Sequence, residues 1–450
     1  MNFKFSISNF RVKAVLLVIL TFLAYLFFTD FDLLKKVSYN IPLIEESQPP
    51  IAGSSLLSLL KLSKEFKIDI FAKDLEGPRV ITFDSLGRML ISETKAGRVS
   101  ILEDPSFAKA SEGAVKSGEF KNKRVLIDGL RSPHGLAFYT DDKKTTYLYI
   151  AETHQVARYP YDVNTGKLTD PVGKNHTNLP AEGRHFTRTI LFGPNFRKTP
   201  LLPGKKGDDT LIETKLYISV GSSCDVCVED TTWKRAAILE SDPEGSYTAE
   251  FAGGLRNSVF FSFHPVTKEI WATEMGRDNL GDNLPPDEVN IIKVAGPKDK
   301  FGAKRYGWPF CYGNQVRDKT FNPENFQRID ISSDCGETEQ PVIQIPAHSA
   351  PLGLAFIPSN SGWPKEWEGD LLVAFHGSWN SSMPVGYKIV RYDLDANGNV
   401  LSQQPSDFIS GWLGDAGKIF GRPVDLKFGP DDALYISDDE SGVIYRVTLK

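Results

Sequence analysis

Cysteine is scarce in this sequence, and positive charge is outweighed by negative. Only four cysteines occur in 450 residues, and the single C-x-x-C pair, Cys224 and Cys227, has no second pair to complete a four-cysteine zinc site. A redox C-x-x-C belongs at the strand-to-helix turn of a βαβ unit, whereas this pair follows the strand-like "KLYISVGSS" in a chain without that alternation. Two disulfides in an exported protein, Cys224–Cys227 and Cys311–Cys335, are the expected use, with zinc as the competing reading. A formal net charge of −5 leaves no basic field to collect nucleic acid.

Long hydrophobic runs are confined to the N-terminus. Lys4, Arg11 and Lys13 precede the apolar stretch Ala14–Phe28, and Asp30 and Asp32 follow it. That polarity reads as a signal peptide or signal anchor over residues 1–30. "LFFTDFDLL" offers no small-x-small cleavage site, which favours an anchor at residues 14–29. The positive flank then stays in the cytoplasm and the rest of the chain is extracytoplasmic, on the periplasmic or secreted side. Residues 31–64 read as a polar, proline-bearing linker and a short amphipathic segment. The sequons at Asn175 and Asn380 matter only in a eukaryotic secretory route.

What the chain has in quantity is turn residues, 37 Gly and 28 Pro, beside an ordinary 41% hydrophobic content. Many short strands follow from that. One theme recurs: an apolar strand, a turn, a second strand ending in a small or acidic residue, then Gly-x-apolar before a third strand. Copies start at Pro78, Pro133, His185, Leu255, Pro351 and Arg422. Six such copies predict an all-β fold, a six-bladed β-propeller of four-stranded blades over residues 65–450. The last copy ends with the chain while a lone strand-like stretch, "FKIDIFAKDL", precedes the first, so the two ends are expected to share one blade.

Propellers gather binding residues where the loops before the innermost strands converge. His185, Arg256, Asn257, Arg422 and His134 occupy those positions. Arg256 and Arg422 are fixed cationic forks suited to carboxylates or a quinone oxygen, and His185 can take a proton near neutral pH. The loop "EMGRDNLGDNLPPDEVN" lacks the EF-hand spacing, yet its carboxylates and carbonyls suit a hard cation such as calcium. A calcium-dependent lactonase or esterase and a non-catalytic ligand-binding propeller are the alternatives to a redox enzyme.

The ordered set "HFTRTILFGPN", "LYISVGSSCDVC", "GGLRNSVFFSFHPVTKEIWATEMGRDNLGDNLPPDEVN", "RYGWPFCYGN", "GDLLVAFHGSWN" and "GRPVDLKFGPDDALYISDDESGVIYRV" resembles the sorbosone and pyranose dehydrogenase branch of the soluble glucose dehydrogenase-like quinoproteins. The resemblance implies pyrroloquinoline quinone (PQQ) with calcium. It also implies oxidation of an aldose, pyranose or related sugar aldehyde, and an external electron acceptor, a quinone or a cytochrome. On the matching positions it makes His185 the general base, Arg256 and Asn257 the cofactor-facing pair, and Arg422 a cofactor-carboxylate arginine. The same resemblance implies that the Gly276–Arg277 turn holds the calcium through its backbone carbonyls and that Asp287, Glu288 and Tyr306 support the loop or a structural ion. Departures are Ser222 where glucose enzymes carry an aspartate behind the histidine, Met275 in place of an amide, Ser381 in place of a basic residue, and Pro384 near a lysine position. Those departures leave a catalytically degenerate binder as an alternative.

Overall fold

The computed structural model describes residues 53–103, 123–197, 213–229, 232–297, 299, 302–323 and 333–450. Six sheets of four or five strands follow one another along the chain as the blades of a propeller, antiparallel throughout except that Lys304–Arg305 joins Thr248–Gly253 in parallel at the outer edge of blade three. Their innermost strands are Pro78–Phe83, Leu136–Thr140, Ile190–Pro194, Phe261–Phe263, Pro351–Phe356 and Pro423–Phe428. The expected ring closure is present. Phe66–Ala72 pairs antiparallel with Val443–Leu449, so the sixth blade takes its outer strand from the start of the propeller. The segment read as linker also contributes, because helix Gly53–Leu59 leads into Lys61–Leu62, which pairs with Ser406–Ser410 as a fifth strand of blade five. The expected anchor at residues 14–29 lies outside the described residues, among which no helix is long and apolar enough to cross a membrane.

Strands such as Ile270–Glu274, Leu371–Phe375 and Leu434–Asp438 are buried at every position. Each blade is covered on both faces by its neighbours, so these strands lack a solvent face; they are apolar along their length, with polar residues such as Glu274 and Asp438 only toward the C-terminal end. The blades meet in a shared core that includes Val80, Leu136, Phe260, Leu352 and Val424.

Three inner strands open on proline, at Pro78, Pro351 and Pro423, where the missing N–H costs no ladder bond. Each then shifts register by a bulge, between Pro78 and Ile81, Pro351 and Leu354, and Pro423 and Leu426. Bulges at the end of a sheet re-aim side chains, and here they lie beside the channel mouth.

Blade four contains the apolar, aromatic stretch Val259–Phe263, which has the composition of a buried strand. Only Phe261–Phe263 pairs with its neighbour as a ladder. The chain before it is held by a carboxylate: Asn257 N–H donates to Glu274 Oε1 at 2.9 Å and Ser258 Oγ–H to Glu274 Oε2 at 2.5 Å. That capture turns Arg256 and Asn257 toward the channel mouth. Both disulfides form as expected, Cys224–Cys227 and Cys311–Cys335, which sets the zinc reading aside.

Candidate active site

Residues from blades three, four and five converge on one cleft of about 220 Å³, lined by His185, Arg256, Asn257, Met275, Gly276 and Asp287 among others. His185 stands just before the inner strand of blade three. Its Nδ1 lies 2.9 Å from the carbonyl oxygen of Ser222 and 3.0 Å from Ser222 Oγ. A carbonyl can only accept, so Nδ1 carries the proton and Nε2 keeps its lone pair. Burial, reinforced by the Arg256 cation, pushes the imidazole down to about 3. His185 is therefore neutral across the physiological range. Ser222 thus does, with a carbonyl and a hydroxyl, the orienting work expected of a carboxylate, without adding negative charge.

Gly221 makes this arrangement possible. A Cβ there would stand 2.5 Å from Asn257 Oδ1 and 2.7 Å from His185 Cβ. Only a residue without a side chain lets the two approach.

Arg256 is not the free fork that its position suggested. Its guanidinium is 5% exposed and donates to Asp225 Oδ1 at 2.7 Å, to the Asp225 carbonyl at 3.0 Å and to Asp278 Oδ2 at 3.2 Å. Arg184 pairs with the same Asp278 at 2.9 Å, and its guanidinium packs 5.3 Å from the centre of the exposed Trp379 ring. Burial works to raise the Asp225 carboxyl, but the Asp278 N–H and Arg256 outweigh it and hold the group below the usual range. Burial raises Asp278, which becomes the weaker acid of the pair. Arg184, Asp225 and Asp278 were not singled out in the sequence, because their significance lies in contacts across blades.

The turn Met275–Gly276–Arg277 forms the cleft's other wall. Asp287 fastens it: Oδ1 accepts from Gly276 N–H and Oδ2 from Ala350 N–H, both at 2.8 Å. The Arg277 side chain leaves the cleft for Asp318, 2.8 Å away, so only its backbone is available there. Asn257 Nδ2 sits 3.5 Å from Met275 Sδ, a weak contact where an amide was expected. Burial lifts Asp287 and Glu288 to about 7 each and Glu274 to about 8. Glu288 accepts from Gly313 N–H at 2.7 Å, and Tyr306 Oη–H donates to the Ile291 carbonyl at 2.8 Å; both brace blade four.

A second polar group lies around blades five, six and one. Arg79 pairs with Asp439, which also bonds His376 Nε2 at 2.9 Å. Although burial opposes it, His376 and Arg79 hold the Asp439 carboxyl far below the usual range. Arg422 donates to the Gly377 carbonyl at 3.1 Å and lies over the Tyr387 ring, held by carbonyls and a phenol instead of a carboxylate. Arg79 and His376 were also missed. The available signal for Arg79 was its place at the start of an inner strand, the position that drew attention to Arg422.

His134 corrects an expectation. It is fully buried against Phe260, 3.3 Å from Thr189 Oγ1, and does not line the cleft. Ser381 turns its hydroxyl to the Met383 carbonyl, Pro384 is exposed, and neither lines the cleft. The amide nitrogen of Asn380 is buried, which disfavours sugar attachment there.

Comparison with known proteins places this geometry. An uncharacterized protein of Borreliella burgdorferi is 30% identical over 88% of this chain and 93% of its own length. A Coprinopsis cinerea protein named as a PQQ-dependent pyranose dehydrogenase is 24% identical over 86% of this chain; the chain spans about half of that protein, 54%. Among solved structures, the calcium structure of a Trichoderma reesei family AA12 enzyme covers 90% of this chain and 100% of its own at 20% identity, with a TM-score of 0.67. The holo PQQ domain of the Coprinopsis cinerea pyranose dehydrogenase covers 86% and 97% at 21% identity, with a TM-score of 0.64. At these identities the structural likenesses speak for the fold. A family model described as TrAA12-like matches residues 60–450, and the chain belongs to that family.

Proposed function

We propose that this protein is a PQQ- and calcium-dependent dehydrogenase that oxidises an aldose, pyranose or related sugar aldehyde and passes electrons to an external quinone or cytochrome. The observation that carries the reading is the neutral His185, pinned by Ser222 in one tautomer, in the same cleft as Asn257 and the Gly276 turn.

The residues fit the cofactor's chemistry. Arg79 Nε and Asn380 Nδ2 are buried without a hydrogen-bond partner among the described residues, and Arg422 carries a charge that no carboxylate neutralises at bonding distance. Donors in surplus suit an anion with several carboxylates. Arg79, Arg422 and Asn380 would hold those carboxylates, and Arg256 and Asn257 the quinone oxygens. The carbonyls of Gly276 and Arg277 would hold calcium. When bound, PQQ supplies a two-electron hydride acceptor and calcium a Lewis acid. The protein's own part is to accept the substrate hydroxyl proton on His185 Nε2, with Ser222 steadying the imidazolium that results. Residues 14–29 would tether the enzyme to the membrane on the extracytoplasmic side.

Hydrolysis by a calcium-activated water needs ligating carboxylates from several blades. Here Asp225 and Asp278 are committed to arginines and Asp287 to two backbone N–H groups, which favours the dehydrogenase. The test is dye reduction by purified protein across a panel of aldoses, with PQQ and calcium added together and separately. Activity should require both and disappear in His185→Ala. No turnover and no PQQ absorbance change at saturating cofactor would overturn the reading, and lactone hydrolysis with calcium alone would replace it.

A further inference from the structure

The four-residue loop Cys224–Cys227 touches both halves of the cleft. Its first carbonyl, that of Cys224, accepts from Ser222 Oγ–H at 2.6 Å, and Ser222 holds His185 Nδ1. Its second residue, Asp225, meets Arg256 through both its carbonyl and its carboxylate. The same carbonyl accepts from Trp308 Nε1–H at 3.1 Å, and Oδ1 also accepts from Asp278 N–H at 2.8 Å. So short a stretch has no ladder of its own: among the described residues, Ser222–Glu229 belongs to no helix or strand. The disulfide closes it, inside a wider turn fastened by Ser223 N–H donating to Glu229 Oε1.

We propose that the Cys224–Cys227 disulfide, with Asp225 inside it, is a positioning element for Arg256 and His185, and that a dithiol reductant reaching it detunes the site. The step is an ordinary exchange. The dithiol's two sulfurs lose two electrons and two protons and join as a cyclic disulfide; the Cys224–Cys227 bond breaks and each sulfur leaves as a thiol. Cys224 and Cys227 are half-buried, whereas Cys311 and Cys335 are 5% and 9% exposed, so the site disulfide is the more accessible of the two. Reduction lets the loop open, which withdraws the Cys224 carbonyl from Ser222 and the Asp225 carboxylate from Arg256. Asp225 is thus a positioning residue that acts through Arg256, and not a group that touches substrate.

The test uses the full chain without cofactor, treated with dithiothreitol and alkylated so that mass spectrometry reports which cysteines opened. Cys224 and Cys227 should label first. Imidazole NMR signals of His185, assigned by their loss in His185→Gln, should then move, while the melting transition persists. With PQQ and calcium added, affinity for PQQ should fall on the order of tenfold, the scale of a lost charge-assisted hydrogen bond. The double variant Cys224→Ser/Cys227→Ser should reproduce both changes without reductant, and Asp225→Asn, which keeps Oδ1, should lose less affinity than Asp225→Ala. Unmoved His185 signals in protein whose Cys224 and Cys227 are fully labelled would overturn the proposal. Should the double variant fail to fold, the reduced wild-type chain decides alone. The affinity arm rests on the dehydrogenase reading and the histidine arm does not. Signals that move in a protein that never binds PQQ would sustain the positioning role and remove the cofactor.

Discussion

Glu288 is fully enclosed behind the Gly276 turn, and replacing it with glutamine should change how the fold responds to pH. Burial raises its carboxyl from the ordinary 4.5 to about 7, against the lowering effect of the Asn290 side chain and the Gly313 N–H. At about 1.4 kcal/mol per tenfold change in proton affinity, that displacement corresponds to about 3 kcal/mol. The sign follows from the direction. The folded state binds the proton more tightly than the unfolded chain, so the contribution is complete below about 4.5 and is lost as pH rises through about 7. Glu288→Gln keeps an acceptor for Gly313 N–H. Its new NH₂ faces Asn290, whose Oδ1 has no partner and becomes an acceptor once that amide flips. The variant should therefore match wild type near pH 4 and exceed it by about 3 kcal/mol at pH 8 to 9 in urea unfolding with a chelator present. Wild type and variant curves that stay parallel over that interval would refute the assignment of an uncompensated buried charge at Glu288. Asp287, also raised to about 7, leaves a decline of the same sign in both proteins.

Gly221→Ala places a methyl 2.5 Å from Asn257 Oδ1 and 2.7 Å from His185 Cβ; overpacking should cost about 1–3 kcal/mol and displace the His185 ring signals, and wild-type stability with unmoved signals would contradict it. Because His185 is neutral down to about 3, kcat/KM for dye reduction should show no acid limb near the ordinary histidine range; a limb at about 6.5 would overturn the argument that burial and Arg256 depress His185. Its depressed value also means that stability is lost as pH falls from the ordinary 6.5 toward about 3, a loss absent from His185→Gln. Asp439→Asn removes the partner of Arg79 and His376; the expected cost at neutral pH is about 3 kcal/mol, and the variant should lack wild type's added loss of stability in acid, both read by chemical unfolding at pH 7 and pH 3.

The parts of this molecule that repeat were legible, and the parts that are made once were not. Blade periodicity survives in sequence because each copy must bury the same strands and make the same turns, and ring closure was readable from an unpaired strand at one end and a missing one at the other. The same regularity delivered His185, Arg256 and Asn257, since the start of an inner strand is a position that can be counted along the chain. Arg79 and Asp439 are 360 residues apart and meet only because the ring closes, so no local pattern announces them.

Arg256 shows how far such positional reasoning reaches. Position assigned it to the channel mouth, where the structure places it, but position alone treats an arginine as a free cation. Two carboxylates and two carbonyls hold the guanidinium, and both acids arrive on loops whose sequence reads as turn. An arginine so tightly held has little freedom to follow a ligand. It presents a fixed fork, paired with Asp225 and Asp278, whose remaining field adds to burial in lowering His185, and that field physically links the Arg256 and His185 sides of the cleft.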